Sequence, residues 1–328
     1  IFPGTGSSGW EAALTNTLNK GDKVLSARFG QFSHLWIEMC KKLHIEVDVV
    51  DVDWGSGTPH DEFEKILSQD KNHEIKAVLV THNETSTGVT NDVKATRDLL
   101  NKLNHPALLF VDGVSSIGSI KFEMDAWGVD VAVSGSQKGF MLPAGLAISC
   151  VSQKALEIAK SANLPRAYFD YHDMLKINET GYWPYTNPMP LLRGLREALT
   201  MMHEEGLDNI YARHLFLAQA VQKASTAWGL GLCAKDPSLY SNTVTAIMVP
   251  EGIDSTDIVK TAYNKYNTSF GGGLNKVAGK LFRIGHLGDL NSTMILGAIS
   301  TAELAMYDVG IKFELGSGVA AAIKHLKA

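Results

Sequence analysis

A single lysine in a polar loop is the first candidate for chemistry in this sequence. Lys138 lies in the run Ser134–Gly139, which separates an apolar stretch from the apolar turn Phe140–Leu146. Most lysines are solvated surface groups, but burial between apolar segments lowers the pKa of an amine and makes it nucleophilic. Such amines form Schiff bases with carbonyl compounds. The surroundings of Lys138 therefore predict a reactive amine, with a solvated surface lysine as the alternative.

A carboxylate precedes this lysine by 26 positions. Asp112 ends the apolar run Ala107–Val111, which is typical of a buried strand. In open α/β sheets, ligands bind at the carboxyl ends of the strands, so an acid there could hold a metal, a ribose or a protonated ring nitrogen; it could also merely cap the next turn. The combination suits pyridoxal phosphate (PLP), because the acid keeps the pyridine nitrogen protonated while the lysine holds the aldehyde.

The glycine-rich segment Gly4–Gly9 matches the pattern GxGxxG. Only three residues precede it, and the next strand ends in Ala27-Arg28-Phe29 rather than in an acid, so its context argues against a dinucleotide site. Glycines and hydroxyls in front of a helix offer free N–H groups to an anion. With Asp112 and Lys138 in the same chain, this segment predicts a binding site for the cofactor phosphate; an ordinary capping turn is the alternative.

The elements that would position these residues alternate along the first half of the chain. We predict strands at Val24–Ala27, Ile45–Val52, Ile75–Thr81, Ala107–Asp112 and Val129–Ser134, and helices at Trp10–Asn19, Phe32–Leu43, Pro59–Leu67 and Val93–Leu103, with Asp61 or Asn91-Asp92 as caps. Such alternation indicates right-handed crossovers and an α/β fold with a mostly parallel sheet.

The pattern changes after Ser152, where residues 153–182 look irregular. We predict helices at Leu191–Glu205, 208–228, Ser255–Tyr266 and Ser292–Tyr307, and strands at Thr243–Val249 and Leu281–Ile284. We therefore expect a large cofactor-binding domain, residues 1–214, and a smaller C-terminal α+β domain, residues 215–328.

Composition narrows the possible partners. The 328 residues are 45% hydrophobic and 20% charged, which rules out wholesale disorder. A net charge of -5, with no long basic run and no apolar run of membrane-spanning length, argues against nucleic acid and membranes. Three widely spaced cysteines fit a cytoplasmic protein without disulfides, and the eleven histidines lack the spacing of a metal site.

Four segments, in order, resemble the class V aminotransferases of PLP fold type I, most closely the serine–glyoxylate and alanine–glyoxylate aminotransferases. They are Thr5–Leu14 (TGSSGWEAAL), His82–Gly88 (HNETSTG), Ser134–Leu146 (SGSQKGFMLPAGL) and Arg283–Gly288 (RIGHLG). The resemblance implies transfer of an amino group from a small amino acid (serine, alanine or aspartate) to glyoxylate by a ping-pong mechanism. It leaves the particular donor open.

The resemblance also implies a role for individual residues. Lys138 would bind the PLP aldehyde and move the substrate proton, and Asp112 would pair with the pyridine nitrogen. The remaining cofactor contacts would come from Thr5, Gly6, Ser7 and Gln137 at the phosphate, Thr85 near the ring hydroxyl and Phe29 stacked on the ring. Arg283 would bind the substrate carboxylate, with an ordinary surface arginine as the alternative. Tyr185 and Thr186 would reach the phosphate of a neighbouring subunit, which implies a homodimer.

Some features depart from the family pattern. The N-terminal arm that wraps the partner subunit in the family has no counterpart before Ile1, and the segment Tyr185–Pro190 is unusually rich in proline. The glycines at Gly271–Gly273 predict either a mobile flap or a plain loop. Two other functions stay open: a class V lyase or desulfurase, although Gln137 stands where desulfurases usually have histidine, and a PLP-binding subunit without activity.

Overall fold

The centre of the molecule is a seven-stranded sheet, seen in a computed structural model that describes all residues, 1–328. Its strands are β1 (Phe2–Gly4), β2 (Lys23–Arg28), β3 (Glu46–Asp51), β4 (Ile75–Thr81), β7 (Leu108–Asp112), β8 (Val131–Gly135) and β9 (Gly145–Val151), in the order β1-β9-β8-β7-β4-β2-β3. Only β9 runs antiparallel to its neighbours, so the other six strands point the same way. A separate hairpin pairs β5 (Asn83–Glu84) with β6 (Val89–Thr90).

Helices cover both faces of this sheet because its strands are apolar on both sides. They are α1 (Gly6–Thr17), α2 (Gln31–Lys42), α3 (His60–Gln69), α4 (Val93–Lys102) and α5 (Gln153–Ala159). Successive strand residues point to opposite faces. Val24 accordingly joins the core under Trp10 and Trp36, while Leu25 joins the core under Phe63. This double burial confirms the predicted α/β fold.

The C-terminal sheet, as we call the second sheet, has the order β10-β12-β11, with all its pairs antiparallel. Its strands are β10 (Val244–Met248), β11 (Gly271–Gly272) and β12 (Leu281–Gly285), and it packs with α8 (Leu207–Ala227), α9 (Ser255–Tyr266), α10 (Ser292–Asp308) and α11 (Ser317–Leu326) around one apolar core. The expected domain boundary between residues 214 and 215 lies within α8, so the division into domains stays a prediction.

The structure corrects the sequence-based elements at several places. The segment 153–182, predicted to be irregular, contains α5 and α6 (Tyr171–Asn178), short helices capped by Ser152 and Asp170. Strands β1, β9 and β11 and helix α11 were not predicted. Asp92 caps α4 by accepting a bond from Ala95 N at 2.9 Å, whereas Asp61 lies inside the first turn of α3 and is not its cap.

Helix α8 is the longest, followed by α10 and by α7, which spans Met189–Glu205. None of the helices is long and apolar enough to cross a membrane.

Candidate active site

The six parallel strands end at one edge of the large sheet, and most of the predicted site residues follow directly from these ends. Thr5 and Gly6 follow β1, Phe29 follows β2, Thr85 lies shortly after β4, Asp112 ends β7, and Gln137 and Lys138 follow β8. The register places Asp112 between Thr81 of β4 and Val133 of β8. Parallel topology thus brings residues that are far apart in sequence to a single cleft, where open α/β sheets bind ligands.

Asp112 is almost fully buried, with 4% of its surface exposed. Its Oδ1 accepts a hydrogen bond from Val114 N at 3.0 Å, and the indole of Trp10 also stabilises the charged carboxylate. Burial raises the pKa of Asp112 to about 7, against the opposing effects of the Val114 bond and the positive charge of Lys138. A buried carboxylate without an ion-pair partner in the chain is suited to pair with a protonated nitrogen of a ligand.

Lys138 is partly buried, and its Nζ forms no hydrogen bond or ion pair within the chain. Burial lowers the pKa of this amine, the charge of Arg283 lowers it further, and Asp112 opposes both. Lys138 therefore feels the charges of both Asp112 and Arg283. The lowered pKa increases the neutral, nucleophilic fraction of the lysine, as Schiff-base chemistry requires.

The start of α1 has the form of an anion-binding site. Thr5 is the residue before the helix, and its N–H donates to Ser8 Oγ at 3.2 Å. A Cβ on Gly6 would lie 2.4 Å from Val114, and one on Gly135 would lie 2.7 Å from Gln137 Oε1 and 3.4 Å from Gly6 N. The two glycines are thus required for close approach, and they hold the Gln137 amide beside the helix N-terminus. Gln137 Oε1, an acceptor, is buried without a partner in the chain, and the Nε2 of the same amide is the atom that can donate to an anion.

Arg283 enters the cleft from the C-terminal sheet. Its strand neighbours Phe282 and Ile284 are 0% and 1% exposed in the core, so alternation turns Arg283 to the other face. Its Nε donates to Gly272 O at 3.0 Å and its Nη1 to Thr85 O at 3.1 Å. It has no carboxylate partner within the chain. Burial lowers its pKa, while the negative charge of Glu84 opposes this. A half-buried guanidinium without an ion-pair partner is a fitting site for a ligand carboxylate.

The segment Gly271–Gly273, for which the sequence left a mobile flap or a plain loop open, contains a short strand. Gly271 and Gly272 form β11 and pair with Arg283 and Phe282 of β12. A Cβ on Gly271 would lie 3.1 Å from three atoms of the Arg283 guanidinium. The glycine is therefore needed for the close packing of backbone against the arginine, and the segment is a strand that supports Arg283.

Glu84 is a site residue that the sequence analysis missed. It is fully buried in the HNETSTG segment, where its carboxylate accepts bonds from Phe32 N and Ser33 N at 3.0 Å each, and from Ser86 Oγ at 2.7 Å. It thereby caps α2, the helix that follows Phe29. The available signal was an acidic residue surrounded by small polar residues between two strands, but its partners lie some fifty residues away in sequence.

Three predicted residues have less direct links to the cleft. Phe29 is 2% exposed and packs in the apolar core with Leu25 and Val80, so its role toward a cofactor stays a prediction. Tyr185 and Thr186 are exposed, and the Tyr185 hydroxyl donates to Ala167 O at 2.8 Å. Neither shares a hydrogen bond with Lys138, Asp112 or Arg283 in this single chain.

The fold and this cleft define a class of protein, the PLP-dependent transferases of fold type I. Among solved structures, pyridoxamine–pyruvate aminotransferase from Mesorhizobium loti has a TM-score of 0.93 and 28% identity, over 99% of this chain and 83% of that one. Residues 1–272 match the family model described as aminotransferase class-V. The chain therefore belongs to the class V aminotransferases, as the sequence resemblance predicted.

Curated relatives agree over nearly the whole chain. A serine–glyoxylate aminotransferase from Hyphomicrobium methylovorum is 59% identical over 99% of this chain and 81% of that protein. An L-aspartate–glyoxylate aminotransferase from Paracoccus denitrificans is 55% identical over 100% of this chain and 83% of that protein. The chain is thus a PLP-dependent aminotransferase. No group of three or more histidine, cysteine, aspartate or glutamate side chains is arranged to hold a metal ion.

Proposed function

We propose that this enzyme transfers the amino group of a small amino acid, namely serine, alanine or aspartate, to glyoxylate by a ping-pong mechanism. The observation that carries this proposal is Arg283, a half-buried guanidinium that is bonded only to carbonyl oxygens and whose charge lowers the pKa of Lys138. An aminotransferase binds an amino acid and then an oxo acid at one site, and the group these substrates share is a carboxylate. The names of relatives 53–59% identical to the chain support glyoxylate as the acceptor and a small amino acid as the donor.

The residues around the start of α1 fit PLP. Thr5, Gly6, Ser7 and Gln137 would hold its phosphate, because the helix N-terminus and the amide of Gln137 offer hydrogen bonds at a place where glycines leave room. Thr85 would lie near the ring hydroxyl and Phe29 against the ring face. When bound, PLP supplies an electron sink that stabilises negative charge at the substrate Cα.

Asp112 and Lys138 would do the proton work. Asp112 would hold a proton on the ring nitrogen of the cofactor, since its buried carboxylate gains from a cationic partner. Lys138 would bind the cofactor aldehyde and, once displaced by substrate, remove the proton from the substrate Cα as a general base. The lowered pKa of its amine supports both roles.

The quaternary structure and location are part of the same proposal. Tyr185 and Thr186 would contact the cofactor phosphate of a second subunit in a homodimer, which agrees with their exposure on the surface of one chain. We also propose a cytoplasmic location, since the three thiols are unpaired, as is usual in reducing compartments.

The thiols weaken the alternative of a desulfurase. Such an enzyme needs a reactive cysteine in the cleft, yet burial raises the pKa of Cys40 to about 12 and that of Cys233 to about 11, and it also raises the pKa of Cys150. Raised pKa values make thiols poor nucleophiles. The other alternative is a PLP-binding subunit without activity. The kinetic and spectral test described next distinguishes it from an aminotransferase.

The proposal is tested with the PLP-loaded enzyme by steady-state kinetics. Initial rates at several fixed glyoxylate concentrations, with serine, alanine and aspartate as donors in turn, should give parallel double-reciprocal lines for at least one donor. Adding that donor alone should remove the visible absorbance of the cofactor, and glyoxylate should restore it. Intersecting lines, release of sulfide from cysteine, or an unchanged spectrum with every donor would each contradict the proposal.

A further inference from the structure

Glu84 is held by more hydrogen bonds than any other group near the cleft, although it is not one of the reacting groups proposed above. Its Oε2 accepts from Phe32 N and Ser33 N, each at 3.0 Å, and its Oε1 accepts from Ser86 N at 3.1 Å and Ser86 Oγ at 2.7 Å. The residue is 0% exposed. These bonds join the β5–β6 hairpin to the first turn of α2.

The same hairpin holds Arg283. Thr85, the residue next to Glu84, accepts a hydrogen bond from Arg283 Nη1 through its carbonyl oxygen at 3.1 Å. Ser86, which follows, accepts a bond from Gln31 N at 2.9 Å. The position of the Thr85 carbonyl is therefore determined on both sides by contacts with the start of α2, and the Glu84 carboxylate makes most of them.

The space for this carboxylate is built into the backbone. A Cβ on Gly30, the residue before α2, would lie 2.2 Å from the Glu84 side chain. The helix N-terminus also stabilises a negative charge at its free N–H groups. The charge of Glu84 is thus compensated by backbone amides rather than by Arg283, which leaves the guanidinium free of an internal ion pair.

We propose that Glu84 is a positioning residue for substrate binding: by fixing the Thr85 carbonyl to helix α2, it orients the Arg283 guanidinium toward the substrate carboxylate without pairing with it. This inference rests on the proposed role of Arg283. Glu84 would touch no substrate itself and would act through the backbone of the β5–β6 hairpin and of the first turn of α2.

A matched control exists in the C-terminal sheet region. Glu303 is also a buried carboxylate, 3% exposed, and accepts bonds from Gly316 N, Gly318 N and Val319 N at the start of α11 and from Trp228 Nε1. It caps a helix as Glu84 does, but neither α11 nor Trp228 contributes to the cleft. Loss of a buried helix cap alone should therefore affect both positions alike.

The test compares Glu84→Gln with Glu303→Gln in the PLP-loaded enzyme. Glutamine keeps the shape but places an NH2 group against N–H donors, so both variants should lose thermal stability. Only Glu84→Gln should raise KM for donor and glyoxylate alike, by about tenfold, because a misdirected guanidinium loses part of a charge-assisted bond. It should leave kcat much less affected.

Binding of acetate gives a second readout that does not depend on turnover. Acetate carries the carboxylate without an amino or aldehyde group, and its dissociation constant can be measured by calorimetry or as a competitive inhibition constant. We expect weaker acetate binding in Glu84→Gln and unchanged binding in Glu303→Gln. Unchanged acetate binding in Glu84→Gln would overturn the inference, and so would tighter binding, which would mean that the charge of Glu84 competes with the carboxylate for Arg283.

Two further variants keep the outcome interpretable. Ser86→Ala removes the 2.7 Å bond to Glu84 and the bond to Gln31 N but keeps the carboxylate, so it should raise both KM values to a smaller extent, even where Glu84→Gln does not fold. Arg283→Lys separates the two proposals. If it leaves acetate binding unchanged, the role of Arg283 fails; if it weakens binding while Glu84→Gln and Ser86→Ala do not, only the positioning role fails.

Discussion

The cleft is assembled from two regions that present their residues in different ways. The large sheet contributes groups at the carboxyl ends of parallel strands, where Asp112 and Lys138 lie. The C-terminal sheet contributes Arg283 from the middle of an antiparallel strand, turned to the cleft because Phe282 and Ile284 face the core. The first region would activate the substrate and the second would hold its carboxylate. Chemistry and substrate binding are therefore separable by mutation.

Three hydrogen bonds join the two regions beside the cleft. Arg283 donates to Thr85 O, and Thr243 Oγ1 donates to Ser115 O at 3.0 Å while accepting from Asn83 Nδ2 at 3.0 Å. All three bonds involve the β5–β6 hairpin or the turn after Asp112. Changes at this junction should therefore act on substrate binding, because the bond to Thr85 O holds Arg283 in place.

The largest effect is expected for Lys138→Ala, which removes the proposed aldehyde-binding amine and general base. Activity with every donor should fall by several orders of magnitude, while the thermal unfolding midpoint changes little because Nζ has no partner in the folded chain. In the wild type, borohydride should attach the cofactor to a single peptide, the one containing Lys138. Labelling of another lysine would contradict the role of Lys138 as the amine that binds the cofactor aldehyde.

Asp112→Asn should have the next largest effect and should also be confined to the chemical step. An amide cannot stabilise a proton on the cofactor nitrogen, so kcat should fall by roughly 10²–10⁴-fold. KM for glyoxylate should change much less, because Arg283 is untouched. Turnover equal to the wild type would mean that Asp112 only caps the turn at Val114, to which it is hydrogen-bonded.

The parallel half of the cleft was predictable from sequence for a physical reason. A strand buried on both faces is a run of apolar residues, so its end, and the polar residue at that end, can be located from sequence, as with Asp112 after Leu108–Val111. Parallel topology then brings such ends together without further information. The five predicted strands of this sheet are present, with ends shifted by at most two residues.

Other parts could not be predicted because they depend on distant contacts. Strand β9 carries no distinctive pattern, and its antiparallel pairing with β1 and β8 is fixed only by tertiary structure. Strand β11 is two glycines, a composition typical of loops, and becomes a strand because β12 lies beside it. Besides the neighbouring Ser86, Glu84 has its partners Phe32 N and Ser33 N at the start of α2, and nothing local in the sequence reveals these two.

Acid stability offers a comparison in which the two regions should behave alike. His82 follows β4 and His286 follows β12; both are buried, and burial lowers the pKa of each to about 4. In the unfolded chain a histidine has a pKa near 6.5. The unfolded state therefore binds more protons between pH 6.5 and 4, so stability is complete above that range and is lost as the pH falls through it.

The size of this effect is at most about 3 kcal/mol per histidine. Unfolding midpoints of the wild type, His82→Gln and His286→Gln at pH 7.5 and 5 would measure it. Each variant should be less stable than the wild type at pH 7.5, since His82 bonds Ser116 and His286 bonds Thr245. Each should also lose less stability on acidification. A variant that keeps the full pH dependence would show that its histidine is not buried in neutral form.

Arg283→Lys should have a smaller effect than Asp112→Asn and a different signature. Lysine keeps the charge but loses the planar pair of donors, which should cost ~1.5–3 kcal/mol, or roughly 10–150-fold in kcat/KM. The loss should appear for donor and acceptor alike, with the absorbance spectrum of the cofactor unchanged. Impairment of one half-reaction alone would contradict a shared carboxylate site and so the division of roles between the two regions.

The smallest effect is expected at the strand that supports Arg283, where neighbouring glycines provide a matched pair. An alanine Cβ at position 271 would lie 3.1 Å from the guanidinium, which would have to move by a few tenths of an ångström, whereas nothing lies within 4 Å of the corresponding atom at position 272. Neither glycine has a positive φ, so both substitutions should reduce the entropy of the unfolded chain to a similar extent. Gly271→Ala should therefore lower kcat/KM about threefold for donor and acceptor, since small misplacements of a binding group reduce rates, while Gly272→Ala should match the wild type. Equal effects of the two variants on kcat/KM would mean that the mobility of β11, rather than its packing against Arg283, determines how well Arg283 binds substrate.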